Sequence, residues 1–152
     1  MPGGESSTMS KLLDLQHLRV PLEQRLADGM LAFGTCAGMI MPASEVLDGR
    51  ADQRSLAAND IAARRNGYGR QIDSFEADVD IVTAGTVGLD DGPFSGRFIR
   101  APIVERVGDG VDVLGAVDGI PVVLRHGPIL ATSFHPELTN DHRLHQAFLQ
   151  HL

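Results

Sequence analysis

Cys36 is the only cysteine in the chain, and it stands between Gly34 and Gly38 in a G-x-C-x-G pattern within Met30–Met41, MLAFGTCAGMIM. An apolar run, Met30–Phe33, precedes it and a helix-compatible run from Ala37 follows it. Strand, sharp turn, helix, with a nucleophilic side chain at the turn, is the pattern of a nucleophile elbow. Glycine at 34 and 38 lets the backbone pass close to itself, where a Cβ would clash. At a helix N-terminus the macrodipole and the free N–H groups favour the thiolate, the nucleophilic form of cysteine. The other reading of a lone cysteine is a buried structural side chain.

A second reactive pair lies about a hundred residues on, in Ser133-Phe134-His135-Pro136-Glu137-Leu138. His135 and Glu137 are two apart, so in extended chain they share a face. A carboxylate beside an imidazole fixes its tautomer and stabilises the cation formed on proton transfer. With Cys36 as the one available thiol, Cys–His–Glu makes a complete set for acyl transfer. Alone, the His-Pro-Glu segment also reads as a polar loop entering the last helix.

These groups need elements to hold them. Ser6, Ser7 and Thr8 are N-cap candidates for a short helix over Met9–Leu15, and Pro21 opens a second helix, Pro21–Asp28, closed by Gly29. The helix after the elbow is predicted to run from Ala37 to about Val46, with a kink or an early end at Pro42. Asp48–Asn59 reads as a surface loop, and strands begin near Ile61. Arg64–Arg70 is a glycine-punctuated turn rich in cations. Phe75, Ala77, Val79 and Ile81 alternate, which predicts a half-buried strand. Thr83–Pro93 reads as a loop, Arg97–Arg100 as a short strand ended by Pro102, and Ile103–Val107 as another strand. Val111–Val117, Ile120–Leu124 and Ile129–Phe134 form a three-stranded meander turning at Asp118-Gly119 and His126-Gly127. A last helix, Asp141–His151, turns Leu144, Phe148 and Leu152 to the core. Helices early, strands late and an elbow between them predict an α/β sandwich.

Length and composition narrow the function classes. A chain of 152 residues suffices for one domain with its own core, 1–152. A net charge of −7 argues against nucleic acid or an anionic membrane as a main partner. No apolar run reaches the length of a membrane span. One cysteine allows no internal disulfide, which suits a reducing, cytoplasmic setting. The histidines are scattered with no Cys/His cluster at metal-ligand spacing, so neither metal nor cofactor is expected.

The elbow FGTCAG (Phe33–Gly38), the segment SFHPE (Ser133–Glu137) and the leading PGGES (Pro2–Ser6) together resemble the class I, or triad, glutamine amidotransferases. PGGESSTM at Pro2–Met9, RRNGYGRQIDSFEAD at Arg64–Asp78, FIRAP at Phe98–Pro102 and SFHPELT at Ser133–Thr139 narrow the resemblance to the glutaminase subunits of pyridoxal 5′-phosphate synthases. The resemblance implies a three-layer α/β/α sandwich with a mixed sheet, an elbow and a C-terminal antiparallel meander. It implies Cys36 as nucleophile, His135 as proton carrier and Glu137 as its orienting partner. Gly4 and Ala37 would offer backbone N–H groups to the oxyanion, and Gly4, Glu5, Ser6, Arg65, Ile99 and Arg100 would bind L-glutamine. Independently of the resemblance, an arginine suits the α-carboxylate of glutamine and a glutamate its α-ammonium. The reaction implied is hydrolysis of L-glutamine to glutamate and ammonia through a glutamyl thioester. The ammonia would pass to a synthase subunit, on which the glutaminase depends for full activity.

The chain departs from the family pattern at three places. Family members carry a strand–helix–strand segment before PGGES, so either the start of this chain is misplaced or the chain is a truncated form, and as written it is expected to be unstable or poorly active. Pro42 stands where an aliphatic residue is usual, and Ala57-Ala58 where a glycine is usual. Two other readings follow: a related cysteine peptidase or hydrolase on the same sandwich, and a catalytically impaired form acting only as an interaction protein. Gly4-Glu5-Ser6, Arg65 and Arg100 suit a small zwitterion better than a peptide.

Overall fold

The computed structural model describes residues 1–68, 74–82 and 92–150. Helix α1 spans Ser6–Leu15 and α2 spans Arg19–Ala27. The cap of α1 is Glu5, not one of the three hydroxyl residues after it. Its carboxylate accepts the backbone N–H groups of Ser7 and Thr8, and both of their hydroxyls donate to it as well. Ser6 and Ser7 are therefore in the first turn, and both are buried. Helix α2 starts two residues before Pro21, where the buried Arg19 guanidinium binds Asp14, Ser10 and the Arg54 carbonyl. Gly29 follows it with φ 87°, the left-handed conformation expected just past a helix end.

The elbow strand β1 is Ala32–Thr35, two residues later than the apolar run suggested. Helix α3 keeps only Ala37–Ile40, the early end expected at Pro42, and the chain then enters strand β2, Ala43–Val46, which the sequence did not indicate. Pro42 is the cause. It has no N–H to continue the helix, and its carbonyl accepts from both Ala58 and Asn59 at 2.8 Å, which draws the chain into sheet pairing. The segment after β2 is irregular as predicted, though Leu56 is buried and Asn59 already belongs to β3, Asn59–Arg64.

Strand β4, Ser74–Ile81, alternates as predicted, with Val79 and Ile81 buried. Strand β5 covers Gly92–Ile99, longer than the sequence suggested, and takes in Gly92 and Pro93 from the predicted loop. It ends at Arg100, whose φ of 43° turns the chain before Pro102 is reached. The rest of that loop, 83–91, and Gly69 and Arg70 of the cationic turn lie outside the described residues. Strand β6 is Ile103–Val107 as expected. The meander is β7, Val111–Val117, β8, Ile120–His126, and β9, Ile129–Thr132. Asp118 and Gly119 both have positive φ, 50° and 77°, the signature of a type I′ turn. The second turn uses Gly127 and Pro128, His126 being the last residue of β8. Strand β9 stops at Thr132, before Phe134, although the Ser133 N–H still donates to the Val122 carbonyl of β8 at 3.0 Å. Helix α4 is Arg143–Leu149; its predicted extension to His151 and the contact of Leu152 lie outside the described residues.

Six strands form one mixed sheet in the order β1-β9-β8-β7-β4-β5, and β2-β3-β6 form a second. In the larger sheet β1 and β9 are parallel, paired from Ala32↔Ile129 to Thr35↔Thr132. Neighbouring residues on these strands point to opposite faces. Phe33 and Leu130 therefore meet α4, with the Phe33 and Phe148 rings 5.6 Å apart. Ala32 and Ile129 meet Leu26 of α2, and Ala131 meets Met39 of α3. Helices thus cover both faces at the strand pair that carries the elbow. The second sheet packs on the larger one through Ile61, Ala63, Val104 and Leu124.

Phe98 is the centre of an aromatic cluster below the His135 segment. Its ring stacks on Phe75 at 4.5 Å and meets Phe134 at 5.2 Å. The side chain is 1% exposed. Phe98→Ala is expected to lower unfolding free energy by about 3–5 kcal/mol in a denaturant titration. A loss below about 1 kcal/mol would show that this cluster does not carry the core.

Candidate active site

Cys36 sits between β1 and α3 with φ 51° and ψ −112°, outside the regions an L-residue favours. Such a conformation costs on the order of 1–3 kcal/mol and persists only where surrounding bonds impose it. The bond that imposes it here runs from the Cys36 N–H to the Thr132 carbonyl, 2.8 Å. Gly34 is needed beneath: a Cβ there would overlap the Gly38 carbonyl oxygen. The turn is a nucleophile elbow, as the sequence indicated.

The thiol itself differs from expectation. Burial pushes its pKa up, and the Glu137 charge adds to that rise. The Ala37 N–H and the Arg100 guanidinium pull the other way without prevailing. Helix α3 has only four residues, too few for the macrodipole to dominate. Among the described residues the Cys36 sulfur finds its hydrogen-bond partner in the Ile99 carbonyl, at 3.7 Å.

His135 follows β9, and its N–H donates to the Arg97 carbonyl at 2.9 Å, which ties it to β5. Its Nδ1 lies 2.7 Å from Oε1 of Glu137. A carboxylate only accepts, so Nδ1 carries the proton and Nε2 keeps a free lone pair, the form a general base needs. The two side chains do not share the face of an extended strand. Pro136–Leu138 is a turn of 3-10 helix, whose pitch folds Glu137 back under the ring. The imidazole is packed on Gly3, where a Cβ would overlap Cε1.

One cavity of about 330 Å³ joins these parts. Gly4, Glu5, Ser6, Cys36, Ala37, Arg65, Ile99, Arg100 and His135 line it, all of them singled out by the sequence. Glu137 lies behind His135 and does not reach the wall. Ile40 and Asn66 also line the cavity and were missed, as was the role of Gly3. Ile40 is one helical turn beyond Cys36, and Asn66 adjoins Arg65, so both could have been read from spacing.

Glu5 does not present a free carboxylate. Besides capping α1 it pairs with the Arg65 guanidinium at 2.5 Å. The hydroxyls of Ser7 and Thr8 lead in pulling its pKa down to about 2. Its capping contribution is thus present above the ordinary glutamate range, and is lost only as pH falls toward about 2. Glu5 holds Arg65 at the cavity rather than standing ready for an ammonium group.

A thiol at a strained elbow, facing a cavity shared with a carboxylate-backed imidazole, is the arrangement that acyl transfer through a cysteine calls for. The chain belongs to the SNO glutamine amidotransferase family, whose model matches residues 1–152. It is 57% identical over 153 residues to the pyridoxal 5′-phosphate synthase subunit PdxT of Salinispora arenicola, an alignment covering 97% of this chain and 74% of that protein. The PdxT of Nocardia farcinica is 55% identical, covering 98% of this chain and 66% of its own length. A crystal structure of a glutamine amidotransferase superposes with a TM-score of 0.86 at 45% identity, over 98% of this chain and 75% of that one. A Thermoplasma acidophilum protein assigned to GMP synthase, 13% identical with a TM-score of 0.63 over 98% of this chain and 69% of its own, shares the fold. The architecture is that of the class I glutamine amidotransferases.

Two measurements check this geometry. Alkylation of Cys36 by iodoacetamide, clean because the chain has one cysteine, is expected to rise with a midpoint above the ~8.5 of an unperturbed thiol. A midpoint below about 7 would mean that the charges around the thiol outweigh its burial. Gly3→Ala is expected to displace the His135 ring and cut glutamine turnover by about a hundredfold, with thermal unfolding shifted little. Unchanged turnover would remove Gly3 from the site.

Proposed function

We propose that this protein hydrolyses L-glutamine to glutamate and ammonia through a Cys36–His135–Glu137 triad, and hands the ammonia to a synthase subunit that makes pyridoxal 5′-phosphate. The observation that carries this reading is the shared cavity. Cys36 and His135 line it together with the cationic residues Arg65 and Arg100.

The reaction follows from the groups. Glutamine enters with its side-chain amide toward Cys36 and its α-carboxylate toward Arg65 and Arg100, for which a guanidinium offers two parallel donors. Entry draws Arg65 partly away from Glu5. The thiol leaves the Ile99 carbonyl and gives its proton to Nε2 of His135 as the sulfur attacks the amide carbon. The oxyanion that forms lies between the N–H groups of Ala37 and Gly4; one such donor is typically worth ~3 kcal/mol in the transition state. His135 returns the proton to the departing nitrogen, ammonia leaves, and a γ-glutamyl thioester remains. Water, deprotonated by the same imidazole, then releases glutamate and restores the thiol. Glu137 keeps Nδ1 protonated and stabilises the imidazolium at both stages.

The resting thiol also suits dependence on a partner. Burial favours the thiol over the thiolate and the Ile99 carbonyl engages it, a resting arrangement that a partner would activate by rearranging the site. The relatives carry the name of a synthase subunit, which fits a glutaminase working in a complex.

With the synthase partner present, Cys36→Ala is expected to lower ammonia release from glutamine by more than about a thousandfold, with Glu137→Gln also lowering kcat severely through loss of the proper tautomer. Ammonia release by Cys36→Ala at the wild-type rate would exclude the mechanism.

A further inference from the structure

Thr132 ties the two halves of the site to each other. It is fully buried and is the last residue of β9, paired in register with Thr35 of β1. Its main-chain carbonyl accepts the Cys36 N–H at 2.8 Å, the bond that keeps the elbow in its unfavourable conformation. Its hydroxyl donates to the Phe134 carbonyl at 3.0 Å, inside the protein, and so closes the short turn that launches His135. One residue therefore grips the nucleophile from one side and the base from the other. The next residue provides a contrast. Ser133 is also fully buried, yet its hydroxyl has no hydrogen-bond partner among the described residues.

We infer that Thr132 is a positioning residue for the reaction: its hydroxyl sets where His135 stands relative to the Cys36 thiol. This rests on the proposed triad. Removing the hydroxyl leaves the Phe134 carbonyl buried without a donor. The turn then relaxes, and the imidazole moves by a fraction of an ångström to an ångström. The α-carboxylate sites at Arg65 and Arg100 are on other elements and stay in place. Chemistry suffers and substrate binding does not.

The test uses the full chain with its synthase partner and four variants. Thr132→Val keeps the shape and loses the hydroxyl, and is expected to lower kcat for glutamine about 10–100-fold with KM within about twofold. Thr132→Ser keeps the hydroxyl and is expected to stay within about threefold of wild type. Thr132→Ala completes a Ser–Ala pair that differs only in the hydroxyl, and decides the matter where the valine variant does not fold. Ser133→Ala is expected to leave kcat within about twofold. Equal losses in the Ser and Ala variants, an undiminished kcat in Thr132→Val, or KM rising in step with the loss of kcat would overturn the inference. Alkylation of Cys36 at fixed pH gives a readout independent of glutamine. Slower alkylation in the Ala variant than in the Ser variant supports the inference even where wild-type protein releases no ammonia, an outcome that would sink the proposed activity and not the role of Thr132. Equal alkylation rates in the two would count against it.

Discussion

The parallel pairing of β1 with β9 is the constraint on which the rest depends. Each strand runs toward the same end of the sheet and delivers a reactive residue there. Strand β1 ends in the turn that carries Cys36, and β9 runs out into the segment that carries His135. About a hundred residues separate the two groups in sequence, and only this register brings them to one cavity. The Cys36 N–H then bonds to the far strand rather than to its own helix. That bond supplies local free energy to hold a backbone conformation that α3, with four residues, could not hold by itself.

Everything else secures that strand pair. Phe33 and Leu130 bind it to α4 on one face, while Ala32, Ile129 and Ala131 bind it to α2 and α3 on the other. The aromatic cluster of Phe75, Phe94, Phe98 and Phe134 supports the chain just before His135. The start of helix α1 lines the cavity, and its cap, Glu5, fixes Arg65 at the end of the second sheet. One carboxylate thus serves both as a structural cap and as an anchor for a cation that lines the cavity.

Much of this was legible in the sequence, for identifiable reasons. Gly34 and Gly38 mark a backbone crossing that only glycine permits, and Asp118-Gly119 names its own turn. The alternation from Phe75 to Ile81 reports a strand with one wet face. Every site residue expected from the sequence, other than Glu137, does line the cavity. The errors arise where long-range bonds override local preference. The early end of the elbow helix at Pro42 was legible, but not the strand that follows: the Pro42 carbonyl is taken by Ala58 and Asn59, and Ala43–Val46 becomes a strand. Hydroxyl residues suggested their own cap, but Glu5 gathers their donors instead. The thiol was expected to be acidic at a helix end, yet its burial, a property of packing that spacing does not record, outweighs four residues of dipole.

In the proposed reaction Cys36 itself forms a bond to the substrate carbon. The most direct test mixes the protein and its synthase partner with glutamine, quenches in acid within the turnover time, and measures the mass of the peptide containing Cys36. A glutamyl adduct on that peptide is expected in wild type, and none in Cys36→Ala. Steady ammonia release with Cys36 unmodified at every quench time, in a protein whose alkylation at Cys36 leaves that release intact, would contradict it.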